Sequence, residues 1–166
     1  MIRPCVIWDM CQTLADTRHR LPFILNDPPD WPEFDRRTMD DTVIQSAKLI
    51  FNALQAQGID QIIMTGRGER VREMCDLWLY REGLSHSALY MRPAGVEVSS
   101  ADLKKHLLGR ARKDGWHPVL AFDDEPKTVR MYRDNGVDCF AADDFSWTNG
   151  TFREVRRLTE DAINEG

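Results

Sequence analysis

No apolar run in this chain approaches the ~20 residues that a bilayer span needs. The four cysteines, Cys5, Cys11, Cys75 and Cys139, include no Cys-x-x-Cys pair. That removes zinc-ligand spacing and a disulfide scaffold, and leaves reduced thiols of an intracellular protein as the plain reading. No Gly-x-x-x-x-Gly-Lys-Ser/Thr loop is present, which argues against a P-loop kinase. Basic charge is not in excess: Lys plus Arg is 22 against 27 Asp plus Glu, for a net charge of −5. An acidic balance argues against a surface that coats a long duplex, and says nothing against a local basic pocket for one phosphate. The apolar stretch before Asp9 is too short for a signal peptide, so the expected compartment is the cytoplasm, with no membrane partner.

What is there is a globular composition. The 166 residues are 42% hydrophobic and 30% charged, enough for one domain, 1–166, with a core of its own. Short apolar runs alternate with helical patterns. Cys5–Trp8, Gln61–Met64, Ala88–Met91, Pro118–Phe122 and Val137–Ala142 read as buried strands. Helices are expected over Asp16–Leu25, Thr42–Gln57, Glu69–Arg81, Ser100–Lys113, from Pro126 to Asn135, and Phe152–Asn164. Residues 28–40 hold three prolines and read as an excursion, part of a small cap-like insert over 15–41. The alternation predicts an α/β domain, a Rossmann-like parallel sheet flanked by helices, with ligands at the strand C-termini.

Three strands end in polar residues. Asp9 follows the first, with Thr13 four residues on; Thr65-Gly66-Arg67 follows the second; Asp123-Asp124 follows the fourth. One such aspartate is usually a cap or a turn former. Several carboxylates converging on one crevice need a cation, and hard oxygen ligands suit Mg²⁺.

These residues carry a resemblance. Asp9-Met10-Cys11-Gln12-Thr13-Leu14 resembles the first motif of the haloacid-dehalogenase superfamily, commonly Asp-x-Asp-Gly-Thr-Leu. Thr65-Gly66-Arg67, Lys104 and Phe122-Asp123-Asp124-Glu125 resemble its second, third and fourth motifs. Ala15-Asp16-Thr17-Arg18-His19-Arg20, Tyr90-Met91-Arg92-Pro93 and Met131-Tyr132-Arg133 are similar to the phosphatase domain of phage-type polynucleotide kinase–phosphatases. The compartment would then be a host's cytoplasm if the chain is phage-encoded.

The resemblance implies Asp9 as a nucleophile forming an aspartyl-phosphate. It implies Mg²⁺ held by Asp9, the Cys11 backbone carbonyl, Asp123 and Asp124. Thr65 would bond a phosphoryl oxygen, and Lys104 would balance the charge of Asp9 and phosphate. Thr13 and Gly66 belong to the phosphate-binding motifs, and Arg20 and Arg67 would clamp phosphate. Two positions stay open. The helical register from Leu107 and Leu108 favours Lys104, whereas that from Asp102 favours Lys105. Arg92 reads equally as a surface residue or a substrate contact. His19 reads as ordering the loop after the first motif.

One departure matters. The phosphatase branches place a second aspartate two residues after the nucleophile, as general acid and base; here it is Cys11, and Gln12 stands where glycine is usual. A thiol is a poor substitute for a carboxyl acid at neutral pH, and general acid–base groups contribute about 10²–10⁴-fold. Cys11 also reads as a redox-sensitive thiol or a small filler. The expected function is Mg²⁺-dependent hydrolysis of a phosphorylated small molecule, a nucleotide or a nucleic-acid 3′-phosphate end. The alternatives are a catalytically reduced binding or regulatory protein and, last, non-phosphatase chemistry of the same superfamily.

Overall fold

Five short β-branched and aromatic runs, each too brief to bury both faces alone, pair into one parallel sheet. A computed structural model of the chain describes residues 2–142. The sheet strands are β1 (Arg3–Trp8), β4 (Asp60–Gly68), β5 (Ala88–Arg92), β6 (Trp116–Asp123) and β7 (Asp138–Ala141). Their order is β5-β4-β1-β6-β7, and every pairing is parallel. The remaining elements are β2 (Ala15–Asp16), α1 (Leu21–Leu25), α2 (Trp31–Arg36), β3 (Thr42–Val43), α3 (Gln45–Ala56), α4 (Arg72–Arg81), α5 (Ser100–Lys113) and α6 (Pro126–Asp134). The expected α/β architecture is the one observed. Among the described residues no helix is long and apolar enough to cross a membrane.

Side chains of β1 alternate between two cores, as the two-residue strand period requires. Cys5 and Ile7 pack with Leu103, Leu107 and Tyr132 of α5 and α6. Val6 and Trp8 pack with Phe51 of α3 and Trp78 and Leu79 of α4. Trp8 stacks on Phe122 with ring centroids 4.1 Å apart, and its indole N–H donates to Gln61 Oε1 at 2.7 Å. A buried indole needs such a partner.

The strand order reverses at β1. The chain builds outward to β5 on one side and then returns to β6 on the other. Asp9 and Asp123 therefore leave neighbouring strands at this switch point, where open α/β sheets gather ligands. Pro118 cannot donate to the ladder, and the β1–β6 register shifts beside it between Cys5 and Val6.

Some boundaries differ from the expectations. The predicted helix over Thr42–Gln57 begins as β3, because Val43 pairs antiparallel with Ala15 and the β-branched Thr42-Val43 suits a strand. The Ile44 N–H then donates to the Leu14 carbonyl at 2.8 Å, and α3 follows. The predicted helix over Asp16–Leu25 splits into β2, a 3-10 turn at Arg18–Arg20 and α1. Residues 28–40 form α2, entered through Pro32 with Asp30 Oδ1 accepting from the Glu33 N–H at 3.0 Å, and a second 3-10 turn. The expected helix Phe152–Asn164 lies outside the described residues.

Candidate active site

The turn after β1 is built around one carbonyl. The backbone N–H groups of Thr13, Leu14 and Ala15 all point to the Met10 oxygen, at 3.2, 3.0 and 2.8 Å. Such a tight turn sends Gln12 into the left-handed region, at φ 62°, where glycine sits without strain. Both polar atoms of the Gln12 amide are buried without a hydrogen-bond partner. The glycine that is usual at this position thus has a conformational reason.

Asp9 is held from two sides. Its Oδ1 accepts from Lys104 Nζ at 2.7 Å and its Oδ2 from the Thr13 hydroxyl at 3.2 Å. Lys104 Nζ also donates to Asp123 Oδ2 at 2.5 Å. The register question is settled by burial: Lys104 is 2% exposed, whereas Lys105 is exposed on the outer face of α5. Burial works against the Lys104 charge, but Asp9 and Asp123 outweigh it and hold its pKa well above the ordinary value.

Carboxylate oxygens of Asp9, Asp123 and Asp124 lie within 4.8 Å of one another. Burial, and then the neighbouring Asp9, push Asp123 upward to about 6 despite Lys104. Burial, Asp9 and Asp123 push Asp124 to about 8. These upward shifts mark how poorly the site tolerates three carboxylate charges beside a single lysine. The donor set is all oxygen, the cluster carries surplus negative charge, and both features fit a hard divalent cation.

The Thr65 hydroxyl oxygen accepts from the Arg67 backbone N–H at 3.2 Å, which leaves its hydrogen to donate elsewhere. Arg67 is 7% exposed. Its Nε donates to Cys11 Sγ at 3.2 Å, its Nη1 approaches Cys75 Sγ at 3.8 Å, and its Nη2 donates to Asp41 Oδ2 at 2.7 Å. Burial opposes this charge too, and the Cys11 sulfur and the Asp41 carboxylate hold the guanidinium protonated.

Arg20, the other expected site arginine, lies deep in the insert. It is 0% exposed, with Nε and Nη2 on the two oxygens of Asp41, each at 2.8 Å. Its Nη1 donates to the Phe34 carbonyl at 2.9 Å and the Thr38 hydroxyl at 3.3 Å. A fork closed in this way anchors Asp41. Arg92 ties loops together: its Nε donates to the Gly66 carbonyl at 3.1 Å, and its Nη1 to the Val96 and Val98 carbonyls at 3.0 and 2.9 Å. A Cβ on Gly66 would meet only ordinary contacts, the Ser100 hydroxyl at 3.5 Å being nearest, so space alone does not demand glycine there.

Asp41 is the residue that sequence reasoning missed. It is 1% exposed and accepts from Arg20 and Arg67, with His19 Nε2 at 2.8 Å. Its backbone carbonyl accepts from the Trp78 indole at 2.9 Å. One signal was available: two site arginines need a buried acid, and the insert ends in Asp40-Asp41. A cleft of about 810 Å³ opens beside Cys11, Gly66, Arg67 and Arg92, walled by Trp31 and Phe34 of α2.

Comparisons with known proteins identify the family of the chain. No curated protein sequence matches the chain. Among solved structures, a chain of the Pnkp1/Rnl/Hen1 complex superposes with a TM-score of 0.69 at 21% identity, over 84% of this chain and 45% of that one. This protein therefore spans less than half the length of that relative. The class C acid phosphatase from Bacillus anthracis with tungstate bound gives 0.62 at 11% identity, over 96% and 79% of the two chains. A hydrolase from Streptococcus pneumoniae TIGR4 gives 0.55 at 12% identity, over 96% and 100%. These likenesses establish a shared fold. The family model of the polynucleotide kinase PNKP phosphatase domain matches residues 3–146, and the chain belongs to that family.

Proposed function

We propose that the protein is an Mg²⁺-dependent phosphohydrolase that uses Asp9 as nucleophile, on a nucleotide or on a nucleic-acid 3′-phosphate end. The observation that carries this reading is the placement of Asp9. It is 5% exposed, oriented by Lys104 and Thr13, and set among Asp123 and Asp124 at the switch point of the sheet. Asp9, Asp123, Asp124 and the Cys11 backbone carbonyl would hold Mg²⁺, which supplies charge neutralisation on the phosphoryl oxygens.

In this reading an Asp9 carboxylate oxygen attacks phosphorus, the bond from phosphorus to the leaving oxygen breaks, and the electron pair leaves with that oxygen. Water then attacks the same phosphorus, the bond to Asp9 breaks, and inorganic phosphate is released. Lys104 holds positive charge beside the attacking carboxylate throughout. The Thr65 hydroxyl donates to a phosphoryl oxygen, and Arg67, Gly66 and Arg92 line the cleft in which the substrate lies. Arg20 acts as a positioning residue through Asp41.

Cys11 offers no carboxyl proton, and its sulfur is occupied by Arg67 Nε. An alkoxide must then leave without general acid help, so aryl phosphates and phosphoanhydrides turn over fastest. The same contact favours a second reading, a binding or regulatory protein that keeps the fold and the metal site. Phosphate release from nucleotides, 3′-phosphorylated oligonucleotides and aryl phosphates with Mg²⁺ separates the two. Release that falls to background in Asp9→Asn supports the hydrolase. Tight binding with no turnover of any leaving group supports the alternative.

A further inference from the structure

We propose that Trp31 is a stacking platform for a nucleobase, the base of the nucleotide whose phosphate is delivered to Asp9; this rests on the phosphohydrolase reading. The cleft of about 810 Å³ is far larger than a phosphoryl group requires, and Cys11 and Arg67 share its lining with Trp31. A group attached to the phosphate would find α2 within the same cleft. The two walls differ in chemistry. Trp31, Pro32 and Phe34 form one wall, while Arg67, Arg70 and Arg92 stand among the other lining residues with two acids, Asp35 and Glu97, of which Asp35 is paired with Arg70. A nucleotide matches both, with a π-face for the indole and an anionic backbone for the arginines.

A half-exposed tryptophan alone would carry little weight, since single exposed apolar side chains are ordinary. Trp31 is 50% exposed, but its ring is packed against a neighbour. The Phe34 ring meets it edge-on, 5.7 Å away at 80°. The Arg20 guanidinium lies 4.1 Å from the centre of the Phe34 ring, and Arg20 is itself held by both oxygens of buried Asp41. Arg70 Nε bonds Asp35 Oδ2 at 2.5 Å and so ties α2 to the loop after β4. The indole is thus supported by the same carboxylate that positions Arg67 beside Cys11. Such a pre-oriented ring stacks a base at little cost in side-chain ordering. It accepts only a base that has left its own stack, hence a single-stranded or frayed end. A net charge of −5 agrees with one stacked base and not with a long duplex track.

The test measures binding in an Asp9→Asn background, so that turnover does not intervene. Two 5′-labelled trinucleotides with 3′-phosphate are compared by fluorescence anisotropy, one with a terminal adenine and one with an abasic terminal sugar. Loss of the base should weaken binding by about 5- to 150-fold, the usual range for one stacked base. With Trp31→Ala the two ligands should bind alike, and Trp31→Phe should keep most of the discrimination. Unchanged discrimination in Trp31→Ala, or an equal loss for both ligands with an unaltered thermal melt, overturns the proposal. If Trp31→Ala does not fold, Trp31→Phe and Trp31→Leu decide it, an equal discrimination in both being fatal. Failure of the phosphohydrolase reading shows separately, as absent phosphate release by the wild type with base discrimination intact.

Discussion

Two buried clusters flank the cleft, and they are charge opposites. Around Lys104 stand Asp9 and Asp123, with Asp124 beside them: one cation among three acids. Around Asp41 stand Arg20 and Arg67, with His19 sharing Oδ1 with Arg20: one acid between two guanidinium groups. Neither cluster is neutral by itself. The first has surplus negative charge and fits a divalent cation, while the second carries surplus positive charge beside the cleft. The two also differ in origin. Lys104 and its acids come from α5 and the ends of β1 and β6, whereas Arg20 and Asp41 come from the two ends of the insert between β2 and β3. Cys11 lies at the seam, adjacent to the Asp9 turn in sequence and bonded to Arg67 in space.

The largest test of this division is Cys11→Asp. A carboxyl at the seam restores the missing acid, and phosphate release from alkyl phosphates should rise by about 10²-fold, the lower end of the general-acid range. The lower end is expected because Arg67 Nε, 3.2 Å from Cys11 Sγ, would pair with the new carboxylate and keep it ionised. Aryl phosphates should gain little, since their leaving oxygen needs no proton. An equal gain on both classes would mean that Cys11 limits something other than leaving-group protonation.

A smaller effect, but the clearest for the cationic cluster, is Asp41→Asn. Removing the charge leaves Arg20 and Arg67 buried without an ionised partner, which costs about 3–5 kcal/mol. Denaturant unfolding reads the loss directly. Because Arg67 also loses its Nη2 anchor, the KM for phosphate esters should rise in whatever fraction stays folded. A loss below about 1 kcal/mol, typical of an exposed pair, would break the comparison by showing that the arginines do not depend on Asp41.

That difference in origin also explains what could be read from the sequence. The anionic cluster was legible because strand ends are short in sequence and fixed in topology: an apolar run followed by aspartate marks both Asp9 and Asp123. Lys104 required the burial of its helix face to separate it from Lys105. The cationic cluster was half legible. Arg20 and Arg67 stood out, but Asp41 lies 21 residues from Arg20 and 26 from Arg67, across a segment with no long periodic pattern. Their common partner depends on how residues 28–40 fold back, and a pair of two-residue strands decides that. The helix start at Gln45 instead of Thr42 was hidden for the same reason, since Val43 answers to Ala15 and not to its own neighbours.

The smallest effect concerns Gln12, and its expected sign is the unusual one. Its φ of 62° is strained for any side chain with a Cβ, by about 1–2 kcal/mol. Its buried amide atoms are unpartnered, which adds a desolvation cost of similar size. Gln12→Gly removes both, against a loss of roughly 0.5–1 kcal/mol from the greater freedom of unfolded glycine and some lost packing. The variant should therefore be more stable than the wild type by about 1 kcal/mol in denaturant unfolding. A destabilised variant would mean that the amide is satisfied inside the Asp9 turn, by water or by substrate-side groups. The turn would then be a polar site in its own right, and the division into two clusters would have to become three.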